Sequence, residues 1–232
     1  MSKAVQKLFT EIAPKYDFLN HCLSLTIDRR WRDKALARLE GRVLNRILDL
    51  CAGTLDLSQG LLKTFPRCQV VAVDFSLAML QSGQSKVSEA GRCQLLCADG
   101  HSLPLQNESF DAVVCGFGIR NLECRQRAVE EIHRVLRPGG TLMVLEFFRP
   151  EKGLAKAFYQ TYGRFVIPKL GGLISKNPEA YQYLQDSIQR FFSIGEYENL
   201  LRENGFTQVQ SQKLSGGIAH EVLAVKTPAT KA

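Results

Sequence analysis

No two of the chain's seven cysteines (Cys22, Cys51, Cys68, Cys93, Cys97, Cys115 and Cys124) form a CxxC pair, and seven is an odd number. A disulfide framework and a zinc site are therefore not expected. Several of these residues sit inside apolar, strand-like runs, where a free thiol packs as a small hydrophobe. His21, His101 and His133 show no ligand spacing either, so no metal is expected. No apolar run approaches the roughly 18 residues needed to span a bilayer. The stretch MSKAVQKLFTEIAPKYDFL mixes Lys, Glu, Thr and Pro among its apolar residues, unlike the apolar region of a signal peptide. A cytoplasmic protein is expected. Basic residues set a formal charge of +7, yet no run of them exceeds Arg29-Arg30. Scattered charge describes a basic surface more readily than a nucleic-acid groove, and leaves contact with an anionic membrane open. Prolines are few, eight in 232 residues, and no repeat or low-complexity segment occurs beyond the TPATKA tail. With 45% apolar residues, this is the profile of one ordinary globular domain.

What the chain does have is alternation. The short apolar runs RILDLC, CQVVAVDF, CQLLCAD, FDAVVCGFG and TLMVLEFF are separated by segments such as SLAMLQSGQSKVSEAG and CRQRAVEEIHRVLRPGG, with apolar residues at helical spacing. Near-continuous apolar runs suit a parallel sheet buried on both faces. Pro138-Gly139-Gly140 is expected to stop the preceding helix and turn into the next strand. After Phe148 the rhythm breaks into helix-like pieces. GEYENLLRENGF then reads as a helix ending at Gly205, and FTQVQSQKL and IAHEVLAVK as a closing pair of strands. The expected fold is α/β, a doubly wound, mostly parallel, seven-stranded sheet.

In such sheets a ligand binds beyond the carboxyl ends of the strands. There the chain places ILDLCAGTLDLS, in which Asp49 interrupts an apolar strand just before Gly53 and Thr54. Gly53 permits close backbone approach, and a following helix offers free N–H groups to a carboxylate-bearing ligand. No GxGxxG occurs here, which weighs against a dinucleotide-binding dehydrogenase. Asp74 closes the second strand, where a carboxylate accepts ribose hydroxyls and repels a 2′-phosphate. Asp99 and Gly100 follow the third strand, where an acid and a backbone donor meet an adenine edge. One such acid is ordinarily a helix cap or turn residue. Acids closing successive strands are harder to explain as packing, because a buried carboxylate must find partners.

As a set, these residues together with LRPGG before strand five resemble a Rossmann-like class I S-adenosylmethionine-dependent methyltransferase. Outside that core, KYDFLN, DRRWR, FGIRN, PKLGGLIS, EAYQYLQDSI and SGGIAHE resemble the menaquinone and ubiquinone C-methyltransferase family over nearly the full chain. The resemblance implies methyl transfer from S-adenosylmethionine to a ring carbon of a polyprenylated quinol. It assigns the methionine end of the donor to Asp49, Gly53 and Thr54. It gives the ribose to Asp74, the adenine to Asp99 and Gly100, and the surroundings of the sulfonium to Gly116. It also implies a single methyltransferase domain, 1–232: an N-terminal helical lid (1–45), the donor-binding core (46–148), a substrate-side helical insertion after strand five (149–192), and a closing helix and strand pair (193–232). Two positions depart from the family's pattern, Ala52 and Leu55, where glycines are usual. Leucine resists positive φ and occupies space a ligand would use.

A quinol hydroxyl activates its ortho carbon far more strongly once deprotonated, so a group must take the proton or stabilise its charge. Arg120 and Asn121 are the expected partners of the developing phenolate, Arg120 as electrostatic stabiliser. A water, Tyr16 or His220 is the expected proton acceptor. Against these stand plainer readings: Arg120 as ion-pair partner, Tyr16 as packed aromatic, His220 as satisfied histidine. Phe158, Tyr159, Tyr162, Phe165, Tyr181 and Tyr183 are expected to receive the isoprenoid tail, with Tyr16, Phe18, Leu23 and Trp31 opposing them. Arg29, Arg30 and Arg32 are placed on anionic lipid headgroups. The expected partners are therefore a polyprenylated quinol, demethylmenaquinol first, and the membrane by peripheral contact; a homodimer is entertained, and nucleic acid is not expected. The rivals are methylation of a methoxy-polyprenyl-benzoquinol alone, RNA methylation, and a non-catalytic nucleotide-binding module in which Leu55 fills the donor pocket.

Overall fold

The computed structural model describes residues 3–17, 24, 26–87, 91–151 and 178–228. The central runs form a sheet because β-branched and apolar residues alternate across two covered faces. Strands β1 (Arg46–Leu50), β2 (Gln69–Asp74), β3 (Cys93–Cys97), β4 (Phe110–Gly116), β5 (Leu136–Glu146), β6 (Phe206–Leu214) and β7 (Ala219–Lys226) join in the order β3-β2-β1-β4-β5-β7-β6. The first five are mutually parallel. β7 enters antiparallel between β5 and β6, so the last hairpin closes the sheet. Strand order reverses between β1 and β4, which opens a crevice at their carboxyl ends.

Helices α1 (Lys3–Ile12), α2 (Ile27–Ala37), α3 (Asp56–Thr64), α4 (Leu77–Gly83), α5 (Arg125–Val135), α6 (Pro178–Arg190) and α7 (Ile194–Glu203) surround it. One face of the sheet carries Leu48, Val113 and Val144 with Ile132 of α5, Tyr197 of α7 and Phe191. The opposite face carries Ile47, Val114 and Met143 with Trp31 and Leu36 of α2 and Leu61 of α3. Ser193 and Glu196 form a reciprocal cap that fixes the start of α7. None of the described helices is long and apolar enough to cross a membrane.

The proline-glycine stretch differs from expectation. Helix α5 stops at Val135, and β5 already begins at Leu136, which pairs with Phe110. The register then jumps so that Thr141 faces Ala112, and Gly139 adopts φ +77°. Pro138-Gly139-Gly140 is thus a bulge within the strand rather than a turn before it. The expected insertion is described from α6 onward; Phe18, Leu23, Phe158, Tyr159, Tyr162 and Phe165 and the side chain of Tyr181 lie outside the described residues.

Candidate active site

Asp49 stands near the end of β1, next to the first turn of α3. Its Oδ2 accepts the Ser58 hydroxyl at 2.6 Å, and the Ser58 amide adds a second bond. Oδ1 is buried and has no partner among the described residues. Burial pushes the carboxyl up to about 7, against the pull of Ser58 and, more weakly, of Arg32.

The loop from β1 to α3 is sharply coiled. Cys51, Gly53 and Leu55 all adopt positive φ, at +57°, +54° and +67°. Gly53 donates its amide to Asp74 Oδ2 at 2.9 Å, and Ser76 donates to Oδ1 at 2.8 Å. A carboxylate has about four lone-pair sites, so Asp74 keeps acceptor capacity beyond these amides. Its carboxyl is raised by burial and partly restored by these amides. Gly83 of α4 lies directly on the loop: a Cβ there would stand 2.2 Å from the Thr54 carbonyl oxygen.

Leu55 corrects the reading in which it fills the ligand site. It does take φ > 0, and its side chain is fully buried in the apolar cluster with Leu57, Leu61 and Leu80, away from the crevice. Burying a leucine is worth about 1.5–3 kcal/mol, more than the ~1–2 kcal/mol cost of the left-handed backbone. The version of a non-catalytic module that rests on a blocked pocket is lost with it.

At the strand-order reversal lie two adjoining clefts, open to solvent, that share Tyr16, Cys51, Gly53, Gly116 and Phe117. The larger adds Phe9, Asp74, Met79 and Asn121; the smaller adds Arg32, Asp49, Thr54 and Asp56. Gly116 is pressed against Leu57, and Gly118 against Cys51, where a Cβ would meet side-chain carbons at 2.6 and 2.2 Å. Helix α1 covers the mouth: Gln6 Nε2 donates to the Phe75 carbonyl at 3.1 Å, and Thr10 and Ser76 hydroxyls meet at 3.1 Å. Asp17 follows, accepting the Thr54 hydroxyl and, at 2.6 Å, the Lys86 ammonium.

The structure therefore gathers Tyr16, Asp49, Gly53, Thr54, Asp74, Gly116 and Asn121 at one crevice. Asp99, Gly100, Arg120 and His220 are not in its wall. Asp99 accepts the amide and ring Nδ1–H of His101, at 3.0 and 2.7 Å, while His101 Nε2 accepts the Cys124 amide at 3.2 Å. His101 holds the Asp99 carboxyl below its usual range although partial burial works the other way. Gly100 packs between Leu50 and Leu122. Arg120 is buried and bonded to Glu146 at 2.7 Å, to the Phe117 carbonyl at 2.5 Å and to Ser187 Oγ at 3.3 Å. Burial opposes its charge, but Glu146 and the phenols of Tyr16 and Tyr183 more than restore it. Asn121 Oδ1 accepts the Tyr183 hydroxyl at 3.0 Å, tying α6 to the crevice. His220, on β7 opposite Glu146, packs edge-on to Phe148; burial lowers its pKa to about 4, and its Nδ1 has no partner among the described residues.

Arg32 also departs from expectation. It does not point toward a lipid surface; its side chain is 13% exposed, pairs with Asp28 and Asp56, and borders the smaller cleft. Arg29 and Arg30 of the same helix are exposed. Phe9, Phe117 and Glu146 were not singled out from the sequence, although a carboxylate inside TLMVLEFF gives the same signal as Asp49.

Comparison with known proteins settles the family. The model of the ubiE/COQ5 methyltransferase family matches residues 1–226. The chain belongs to this family. It is 46% identical, over 91% of its length and 89% of the relative's, to the ubiquinone/menaquinone biosynthesis C-methyltransferase UbiE of Syntrophotalea carbinolica. It is 41% identical to the demethylmenaquinone methyltransferase of Thermus thermophilus, over 91% and 96% of the two chains. Among solved structures, the fold matches a Haloferax volcanii putative methyltransferase in complex with the Trm112 activator (TM-score 0.69, 17% identity, 94% and 97% covered). It also matches the [4+2]-cyclase SpnF (TM-score 0.66, 18% identity, 87% and 81% covered). Those two likenesses carry the fold alone.

Membership makes the chain an S-adenosylmethionine-dependent methyltransferase. The residues present fit that donor. A buried carboxylate oxygen on Asp49, without a partner among the described residues, suits an α-ammonium, Asp74 has acceptor capacity for ribose hydroxyls, and the glycine-lined floor leaves backbone exposed to a close-fitting ligand.

Proposed function

We propose that this enzyme methylates a ring carbon of a polyprenylated quinol, with demethylmenaquinol as first substrate, in quinone biosynthesis. The observation that carries the reading is the crevice that places the acids of β1 and β2 beside an aromatic wall of Phe9, Tyr16 and Phe117. S-adenosylmethionine, when bound, supplies an activated methyl electrophile. The chain's own contribution is alignment, for which a fixed pair of reactants is worth several kcal/mol.

Asp49, Gly53 and Thr54 hold the methionine end, Asp74 the ribose, and Gly116 leaves room at the transfer point. Asp99 and Gly100 are assigned to the adenine, the former steadied by His101. The flat ring lies against the aromatic wall, with Asn121 offering a hydrogen bond to a ring oxygen. Arg120 stands behind this surface and favours a phenolate by its charge, which Glu146 partly neutralises. Tyr16 is the proton acceptor or its relay; His220, set behind Phe148, is the weaker candidate. The names of the relatives, a ubiquinone/menaquinone biosynthesis C-methyltransferase in Syntrophotalea and a demethylmenaquinone methyltransferase in Thermus, support the quinol class. Exposed Arg29 and Arg30 beside half-exposed Ile27 support peripheral contact with anionic lipid, where such a substrate resides.

The test is a competition. Short-tailed demethylmenaquinol and a methoxy-benzoquinol are mixed with enzyme and donor, and product masses are read. A methylated naphthoquinol in excess supports the reading; methylation of the benzoquinol alone replaces it. Flotation with anionic vesicles tests the lipid contact, which absence of binding removes.

A further inference from the structure

The smaller cleft ends in an unusual pairing. Among the described residues Asp49 Oδ1 is a buried acceptor without a partner, and Arg32 is a cation bordering the same space, its guanidinium 5.8 Å above the Phe117 ring. Arg32 is not free to wander. Its NH1 group pairs with Asp28 and its NH2 group with Asp56 at 3.3 Å. Asp56 is shared with Lys86 at 2.6 Å, and Lys86 also holds Asp17 at 2.6 Å. A guanidinium carries five N–H donors, so these acids orient it without exhausting it.

We propose that Arg32 is the residue that binds the α-carboxylate of the donor's amino-acid end, while Asp49 Oδ1 takes the adjoining α-ammonium. The inference rests on the donor-site reading above and deepens it. Charge supports it. A zwitterion needs one acceptor and one cation, and the smaller cleft is lined by both, Asp49 and Arg32. Arg32 is thus a specificity residue for an amino-acid tail, reached from α2 across the glycine loop.

Two probes separate this role from a structural one. S-adenosylhomocysteine carries the amino-acid tail; 5′-methylthioadenosine has the same nucleoside thioether without it. Both are titrated calorimetrically into wild type, Arg32→Met, Arg32→Lys and Asp49→Asn, with thermal melting of each variant. Wild type is expected to prefer S-adenosylhomocysteine. Arg32→Met is expected to weaken that ligand by about 10- to 100-fold, as for loss of a charged hydrogen bond, and to leave methylthioadenosine within about twofold. Asp49→Asn should show the same selective loss. Arg32→Lys keeps a cation for Asp28 and Asp56 and so protects the fold; it should lose several-fold, again for the tailed ligand alone. Equal losses for both probes, or none, overturn the proposal while leaving the donor site standing. Binding of neither probe by wild type overturns the donor site, and the proposal with it.

Discussion

Arg120 and Glu146 meet at 2.7 Å with both side chains out of solvent, joining the turn after β4 to the end of β5. Glu146 also accepts the Phe147 amide at 2.7 Å, so the pair fixes two chain segments beside the crevice. Removing one member leaves the other charge buried and uncompensated. Glu146→Ala is expected to destabilise the fold by about 3–5 kcal/mol, and the double change Glu146→Leu with Arg120→Leu to recover much of it. Urea midpoints measure both. A loss under about 1 kcal/mol for Glu146→Ala contradicts the view of the pair as a buried brace.

Asp49 links donor binding to pH. Its folded value of about 7 lies above the ordinary 3.8, so between these values the folded chain holds a proton that the unfolded chain has released. Stability from this group is therefore lost as pH rises through that window. Asp49→Asn is expected to be more stable than wild type at pH 8, by about 1–3 kcal/mol, and to bind donor poorly. In wild type, an ammonium arriving at Oδ1 favours the carboxylate, so donor affinity rises with pH through about 7 and binding releases a proton. Calorimetry in buffers of different ionisation enthalpy detects that release; proton uptake is the contrary result.

Leu55 is structural. Leu55→Gly relieves the left-handed strain but empties a filled core position, for a net loss of about 2–4 kcal/mol. Donor affinity should stay within about twofold. A large gain in affinity means that the leucine had been obstructing the site.

Gly83 does not line either cleft, yet Gly83→Ala drives a methyl into the Thr54 backbone. Backbone cannot swing aside like a side chain, so the loop must shift. The expected outcome is about 1–3 kcal/mol of destabilisation together with a donor affinity lowered about tenfold or more. Unchanged affinity shows a loop more compliant than its hydrogen bonds suggest.

Much of this was legible in the chain, for identifiable reasons. The alternation of apolar runs announced the parallel sheet because strands covered on both faces leave no polar period. Asp49 and Asp74 announced the crevice because carboxylates inside such runs need compensation. Arg32 was misplaced because DRRWR does not say which way the docked helix turns each guanidinium, and three arginines in four positions point in different directions. His220 was named by residue type; its place opposite Glu146 and edge-on to Phe148 depends on the register of β7 against β5, which the sequence does not carry. The bulge at Pro138 was unreadable because it depends on the pairing of Leu136 with Phe110, a contact distant in sequence.

The central claim is methyl transfer to carbon. The most direct measurement is carbon-13 NMR of the product formed from carbon-13-methyl S-adenosylmethionine and short-tailed demethylmenaquinol. A single new resonance in the aryl-methyl region is the predicted result. A methoxyl resonance, or none with folded enzyme and bound donor, contradicts it.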